Sequence, residues 1–97
     1  MTTREIEMIC AAAIERNGWQ QQAVVALEEL SEAQKEICKF LRGQGDREHL
    51  AEELADAEIM LMQMEMVFGL TGSVGKWIEA KAQRLADRLK GGDNDVH

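Results

Sequence analysis

Two long segments decide the fold of this chain, QQQAVVALEELSEAQKEICKFLR at residues 20–42 and DREHLAEELADAEIMLMQMEMVF at residues 46–68. In both, apolar residues recur every three or four positions, which is the spacing of one helix face. The alternating methionines of the second segment also fit a strand. However, Leu50, Ala57 and Phe68 keep the helical period to its end, and methionine favours helices over strands. The two segments therefore predict two helices joined by a short glycine-containing turn.

Glycines separate these segments from two further predicted helices. Thr2 and Glu5 fit a capping box that starts a helix over residues 3–17, and Gly18 follows it. Apolar residues at helical spacing predict a fourth helix over residues 73–90, and residues of about 91–97 are expected to form a flexible tail. The prediction is a single all-α domain over residues 1–97, built like a four-helix bundle.

The composition supports the helical class and excludes some functions. The chain has 97 residues, no proline and only 4% aromatic residues. A β-fold usually contains more proline in its turns and more aromatic residues in its strands. Its 18 acidic and 11 basic residues give a net charge of −7, which argues against a general nucleic-acid binder. No segment resembles a signal peptide or a membrane span. We expect a cytoplasmic protein that acts without nucleic acid or membrane.

The small size of the chain predicts self-association. A chain of this length buries a limited core, and the second half of the third helix is apolar nearly all round. A homodimer or homotetramer is expected, with the methionine-rich third helix as the candidate interface. Cys10 and Cys38 fall at apolar positions of helical patterns, so both are expected to be buried thiols.

Acidic residues recur as pairs on the two central helices. EELSE, at residues 28–32, contains Glu29 and Glu32, and EELAD, at residues 52–56, contains Glu53 and Asp56. Residues three positions apart lie on the same side of a helix. If the helices pack antiparallel, the pairs can converge, and converging carboxylates need protons or cations. Oxygen ligands without thiolate suit Mg²⁺ or Mn²⁺.

The alternative is that these acidic residues form a solvated helix face. On the second helix, Glu29 and its acidic neighbours lie nearly opposite the leucine stripe, which favours that alternative. On the third helix, Glu53 and Asp56 continue an apolar face with Met60, which favours a compensating cation instead. His49 precedes the pair on the third helix and is expected to be a surface residue of its first turn.

With these motifs, the sequence resembles the MazG-like all-α nucleoside triphosphate pyrophosphohydrolases. The family signature is EExxE followed, after a short loop, by ExxD, and here it reads Glu28-Glu29-x-x-Glu32 and Glu53-x-x-Asp56 on consecutive predicted helices. The resemblance covers most of the chain, about residues 6–89. It implies Mg²⁺-dependent hydrolysis of a nucleoside triphosphate, (d)NTP, to the monophosphate and pyrophosphate, with Mn²⁺ as a possible substitute.

The resemblance also implies roles for single residues. The implied metal ligands are Glu29, Glu32, Glu53 and Asp56. Glu28 is the candidate for orienting or deprotonating the attacking water, or else a surface residue paired with a lysine or arginine. The implied phosphate-binding residues of the fourth helix are Lys81, Arg84 and Arg88, although basic residues are also favoured near a helix C-terminus. Trp77, one turn before them, is expected in the core rather than stacked on a base.

Two rival functions stay open. Phosphoribosyl-ATP pyrophosphohydrolases use a similar helical fold, but they typically follow the ExxD aspartate with a Leu-x-Tyr-His type sequence, and here Ala57 to Met60 read AEIM. The other rival is a helical interaction module whose acidic faces are merely solvated. The sequence does not identify the preferred base or sugar.

Overall fold

Four α-helices make up the structure, a computed structural model that describes Met1–Gly91. They are α1 (Thr3–Asn17), α2 (Trp19–Leu41), α3 (Arg47–Val67) and α4 (Thr71–Lys90). No strand occurs within the described range, so the all-α prediction is confirmed and the methionine-rich segment is helical. None of the four helices has the length and apolarity needed to cross a membrane. The predicted tail, residues 91–97, lies outside the described residues except for Gly91.

Side-chain caps fix where two of the helices begin. Thr2 Oγ1 accepts a hydrogen bond from the Glu5 N–H at 3.1 Å, and Glu5 Oε1 accepts one from the Thr2 N–H at 3.2 Å, which completes the predicted capping box of α1. Asp46 Oδ1 accepts from the N–H groups of Glu48 and His49 at 2.9 and 3.2 Å. These caps satisfy donors that have no partner inside the helix. The predicted starts of α1 and α3 are confirmed.

A glycine in the left-handed conformation ends both α2 and α3. Gly43 has φ 73°, and the N–H groups of Gly43 and Gln44 donate to the carbonyls of Phe40 and Lys39 at 3.0 and 2.8 Å. This is the Schellman pattern, which favours glycine because a side chain at positive φ is strained. Gly69, with φ 65°, ends α3 in the same way. The first of these turns folds α3 back against α2.

The face of α2 that packs into the protein is small and polar rather than leucine-rich. The side chains of α2 that are buried are those of Gln22, Ala26, Ala33 and Glu36. Leu27 and Leu41 are instead 69% and 84% exposed. The leucine stripe of α2, which lies opposite the acidic residues on the helical wheel, therefore does not form the packed face, because the opposite face meets α3. Cys38 is exposed for the same reason, whereas Cys10 of α1 is buried as predicted.

Helices α2 and α3 pack antiparallel in a fixed register. Gln22 Nε2 donates a hydrogen bond to Gln63 Oε1 at 2.7 Å. Fourteen residues later on α2 (22 to 36), Glu36 Oε1 lies 3.2 Å from His49 Nδ1, which is fourteen residues earlier on α3 (63 to 49). Equal steps in opposite directions define an antiparallel pair. The acidic motifs lie between these two polar contacts.

Within one chain, α4 packs against α3 alone, and none of its residues is buried. The radius of gyration is 16.2 Å, against about 12 Å for a compact domain of this length. The accessible surface is 7568 Å², about 2,000 Å² more than a compact monomer of this mass exposes. The core of the described chain is thus a three-helix unit of α1, α2 and α3, and α4 contacts this unit through α3 only.

Candidate metal centre

The acidic motifs of α2 and α3 meet at the interface between the two helices. Glu29, Glu53 and Asp56 each place one carboxylate oxygen within 4.8 Å of the others. Glu53 is buried, and Glu29 and Asp56 are half-buried. Three of the four predicted metal ligands are therefore brought together, and they are not a fully solvated helix face. Carboxylates this close repel each other unless a proton or a cation lies among them.

The fourth predicted ligand, Glu32, lies one helical turn beyond Glu29 and is exposed. It does not join the three converging oxygens, but its negative charge contributes to the pKa of Glu29. A glutamate on an exposed turn can change rotamer at a cost of about 1 kcal/mol or less. Glu32 thus lies near the edge of the cluster and has the freedom to approach it.

Glu29 shows the electrostatic effect of the cluster most clearly. Its pKa is raised above the ordinary value, first because the carboxyl loses part of its hydration. The hydrogen bond and the charge of Asp56 come next, followed by the charges of Glu53 and Glu32. Each of these effects disfavours the ionised form. A divalent cation among the same oxygens would reverse the balance and favour ionisation.

Small residues allow the two helices to approach closely around the cluster. Ala26 and Ala33 lie one turn before and one turn after Glu29, and Ala57 lies one turn after Glu53; all three alanines are buried. The distance between packed helices depends on the size of the side chains at the contact. The alanines therefore bring the backbones together where the carboxylates converge. The helical wheel of α2 places Glu29 opposite the leucines and so favours a solvated position for it. That interpretation of Glu29 is wrong, because the alanine face of α2 packs against α3.

A second group of charged residues, which the sequence analysis missed, lies beside the cluster. Glu36 is only 2% exposed, and its Oε2 accepts a hydrogen bond from Lys39 Nζ at 2.8 Å. Its Oε1 lies 3.2 Å from His49 Nδ1, and His49 Nε2 lies 3.4 Å from Glu53 Oε1. His49 is about half exposed, as expected for a first-turn residue, yet its ring stands between a buried carboxylate and a predicted metal ligand.

The pKa of Glu36 is lowered from its ordinary value. The hydrogen bond from Lys39 is the largest cause; burial opposes it, and the charges of His49, Lys39 and Lys35 add to it. Glu36 therefore stays ionised although it is buried. The signal in the sequence was the seven-residue step from Glu29 to Glu36, which places both on one helix face. If α2 is oriented with its leucines inward, the face with Glu29 and Glu36 points to solvent, and the burial of Glu36 is not predicted.

The predicted phosphate-binding residues do not reach the cluster within one chain. Lys81 and Arg84 are exposed and Arg88 is half-buried. None of the three forms an ion pair with another described residue, and α4 does not contact α2, which carries Glu29. Glu28 is also exposed, and no ion pair joins it to another residue between Met1 and Gly91.

Trp77 of α4 is exposed, so its predicted place in the core is wrong. The residue is 56% exposed, and Lys81 Nζ lies 5.8 Å from the centroid of its ring, within the range of a cation–π contact. The reason is the position of α4, which packs against α3 alone and so leaves most of its apolar side chains in solvent.

Comparisons with family models, curated proteins and solved structures gave no match to this chain.

Proposed function

We propose that the chain is a metal-dependent nucleoside triphosphate pyrophosphohydrolase of the MazG-like type, which hydrolyses (d)NTP to (d)NMP and pyrophosphate. The observation that carries the proposal is the convergence of Glu29, Glu53 and Asp56 between α2 and α3, with the pKa of Glu29 raised by its acidic neighbours. Partly buried like charges destabilise a fold, so their convergence calls for a proton or a cation, and a cation is the occupant that we propose. An all-oxygen donor set suits Mg²⁺, with Mn²⁺ as a substitute.

The proposed chemistry assigns each side chain a task. Glu29, Glu32, Glu53 and Asp56 hold the metal, which in this class of reaction polarises phosphoryl oxygens and lowers the pKa of bound water. Glu28 orients or deprotonates the attacking water. Its exposure and its lack of an ion pair among the described residues support that task, since nothing in this range competes for its oxygens.

We further propose that the working unit is a homodimer or homotetramer. The surplus accessible surface of about 2,000 Å² per chain is in the range that obligate assemblies bury. Exposed apolar side chains supply a surface for association, on α2 (Leu27, Leu41), α3 (Ile59, Leu61) and α4 (Ile78, Leu85, Leu89). In such an assembly, Lys81, Arg84 and Arg88 bind the triphosphate from a second chain, because α4 does not contact α2 within its own chain.

A panel of standard and modified nucleoside triphosphates, assayed for pyrophosphate release with Mg²⁺, tests the activity. We expect release of pyrophosphate and a monophosphate from at least one member, and loss of the activity in excess EDTA. Calorimetric titration with Mg²⁺ and Mn²⁺ should show binding. A chain that binds neither ion and releases no pyrophosphate would be a helical interaction module, and the proposed function would be wrong.

A further inference from the structure

The imidazole of His49 stands between two carboxylates that come from different helices. On one side, Nδ1 lies 3.2 Å from Oε1 of Glu36 on α2. On the other side, Nε2 lies 3.4 Å from Oε1 of Glu53, one turn further along α3. The ring thus connects a buried residue outside the predicted site with a residue inside it.

Glu36 is oriented toward the ring by its surroundings. One oxygen of this buried carboxylate, Oε2, accepts from Lys39. The other, Oε1, is inaccessible to solvent and forms no hydrogen bond of good geometry with any described residue. The ring nitrogen nearest to it is Nδ1 of His49. A proton on Nδ1 would satisfy this buried acceptor, whose desolvation otherwise costs free energy.

The other ring nitrogen, Nε2, is turned toward Glu53. Metal-bound histidine must be neutral, with one donor and one acceptor nitrogen, so a ring that keeps its proton on Nδ1 would present Nε2 to a metal ion beside Glu53. The separation of 3.4 Å is longer than an ordinary N–H···O hydrogen bond. It equals the spacing, about 3.4 Å, of two ligands bound at about 2.1 Å to one tetrahedral metal ion.

A third donor lies on the same turn of α3. Glu52, one residue before Glu53, can place a carboxylate oxygen so that it and the ligand atoms of His49 and Glu53 all lie within 4.8 Å of one another. Glu52 is exposed, so small rotamer changes can complete the geometry at little cost. Histidines that bind metals typically donate their other N–H to a carboxylate, as His49 is placed to do with Glu36.

We propose that His49, Glu52 and Glu53 form a second metal site for a divalent transition-metal ion such as Zn²⁺, in which Glu36 holds the His49 ring in position. The imidazole distinguishes it from the all-oxygen cluster, because nitrogen ligands favour zinc and related ions over Mg²⁺. Glu53 belongs to both sites and would bridge them. The inference goes beyond the hydrolase proposal and does not depend on catalysis.

Zinc titration of the full chain tests the site. The background is Cys38→Ser, because Cys38 is an exposed thiol that can bind zinc itself, and the buffer contains saturating Mg²⁺. We expect one Zn²⁺ per chain by calorimetry. Replacement of His49 by Gln should abolish this binding, and Glu36→Gln should weaken it about 10–100-fold, as is usual for the partner of a metal-bound histidine. Asp56→Asn, which alters only the oxygen cluster, should retain it.

A spectroscopic measurement on the chain with His49 in place tests the site without relying on the folding of a variant. Long-range ¹H–¹⁵N spectra distinguish a protonated ring nitrogen from an unprotonated or metal-bound one. On addition of Zn²⁺ we expect Nδ1 to stay protonated and the Nε2 resonance to shift. Zinc binding that survives His49→Gln, or a ring that keeps protons on both nitrogens in excess Zn²⁺, would overturn the site. Neither result bears on pyrophosphate release with Mg²⁺, which tests the hydrolase proposal separately.

Discussion

Gln22 and Gln63 form a buried side-chain hydrogen bond of 2.7 Å that joins α2 to α3. Seven residues along each helix from this pair, toward the turn, stand Glu29 and Asp56 of the acidic cluster. Another seven residues lead to the next contact, which Glu36 and His49 make. Seven residues correspond to two helical turns in a coiled-coil-like packing. The interface thus contains three polar layers, one of which is the candidate metal centre.

The first prediction concerns the outermost polar layer. Gln63→Leu leaves the buried amide of Gln22 without its acceptor, so we expect a loss of about 1–3 kcal/mol in the free energy of unfolding. The double variant Gln22→Leu/Gln63→Leu should recover part of it, because the buried donor and acceptor are both removed and only the part-buried Asn17 amide, which donates to Gln22 Oε1 at 3.0 Å, loses its partner. Urea denaturation of the four proteins of this cycle measures the effect. A double variant as unstable as the sum of the single ones would contradict the pairing.

The second prediction concerns the pH dependence of stability through Glu29. Because its pKa is raised in the folded state, Glu29 contributes stability below its ordinary pKa, and this is lost as the pH rises through the folded value. In EDTA, Glu29→Gln should therefore raise the Tm near pH 7 and change it little near pH 4. Glu79→Gln, on exposed α4, is the matched control and should show no such pH dependence.

The same Tm measurement, repeated with Mg²⁺ in place of EDTA, tests whether Glu29 binds the metal. At neutral pH, Mg²⁺ should raise the Tm of the parent chain and raise that of Glu29→Gln by less, because a bound ion compensates the charge of an ionised Glu29. Equal shifts in the two proteins would mean that Glu29 is not a ligand.

The third prediction concerns activity. Glu53→Gln and Asp56→Asn each remove one charged ligand, and we expect both to lower pyrophosphate release by more than about 100-fold, since partners outside a ligand shell already cost about 10–100-fold. Their helix content by circular dichroism should remain that of the parent. Glu58→Gln makes the same change of charge on an exposed position of α3, outside the cluster, and should stay active. Parent-like activity in both ligand variants would refute the site assignment.

The fourth prediction concerns a site shared between chains. Chains carrying Glu53→Gln and chains carrying Arg84→Glu should each be inactive. In a dimer with sites built from both chains, a mixture refolded together should regain up to about a quarter of the parent activity. About half of the dimers are then mixed, and one of the two sites in each mixed dimer has all its residues intact. A mixture of Glu53→Gln with Asp56→Asn is the control and should stay inactive, because both changes affect the same side of the site.

Light scattering accompanies the mixing experiment. We expect a mass of two or four chains for the parent protein. A stable monomer would exclude the shared site, and mixed assemblies without regained activity would show that α4 acts on its own chain.

The fifth prediction concerns two glycines in open surroundings. No atom lies close to a Cβ built on Gly43 or Gly75, so only the backbone conformation matters. Gly43 is at φ 73°, and Gly43→Ala should cost about 1 kcal/mol of stability. Gly75 lies inside α4, where Gly75→Ala should increase helix content and stabilise the helix by up to about 1 kcal/mol. Thermal unfolding followed by circular dichroism measures both effects, and effects of the same sign would contradict the argument.

The sequence predicts the helices well because local signals determine them. The capping box of Thr2 with Glu5, the cap at Asp46 and the glycines at 43 and 69 are all interactions within a few residues, and the structure places the helix ends within two residues of those expected. The convergence of Glu29 with Glu53 and Asp56 followed from motif spacing and an antiparallel turn.

The orientation of α2 could not be predicted from one chain. Sequence patterns locate the most apolar face of a helix, and in a small monomer this face usually points inward. Here Leu27 and Leu41 point outward, whereas Ala33 and Glu36 are buried. Burial of Glu36 also depends on Lys39 and His49, and the latter comes from another helix. Which face of α2 is buried thus depends on contacts with other helices. The periodicity of α2 alone gives no information about those contacts.

The seven-residue register of α2 and α3 also constrains how this hairpin can change in length. Deletion of one residue between Ala33 and Glu36 would turn the preceding part of α2 by about 100° relative to Glu36 and would move Glu29 away from Asp56. An insertion at Gln44, in the turn, lengthens only the connection and leaves both helical faces intact. We therefore expect homologous hairpins to vary in the length of this loop while the distances between the three polar layers along each helix remain constant.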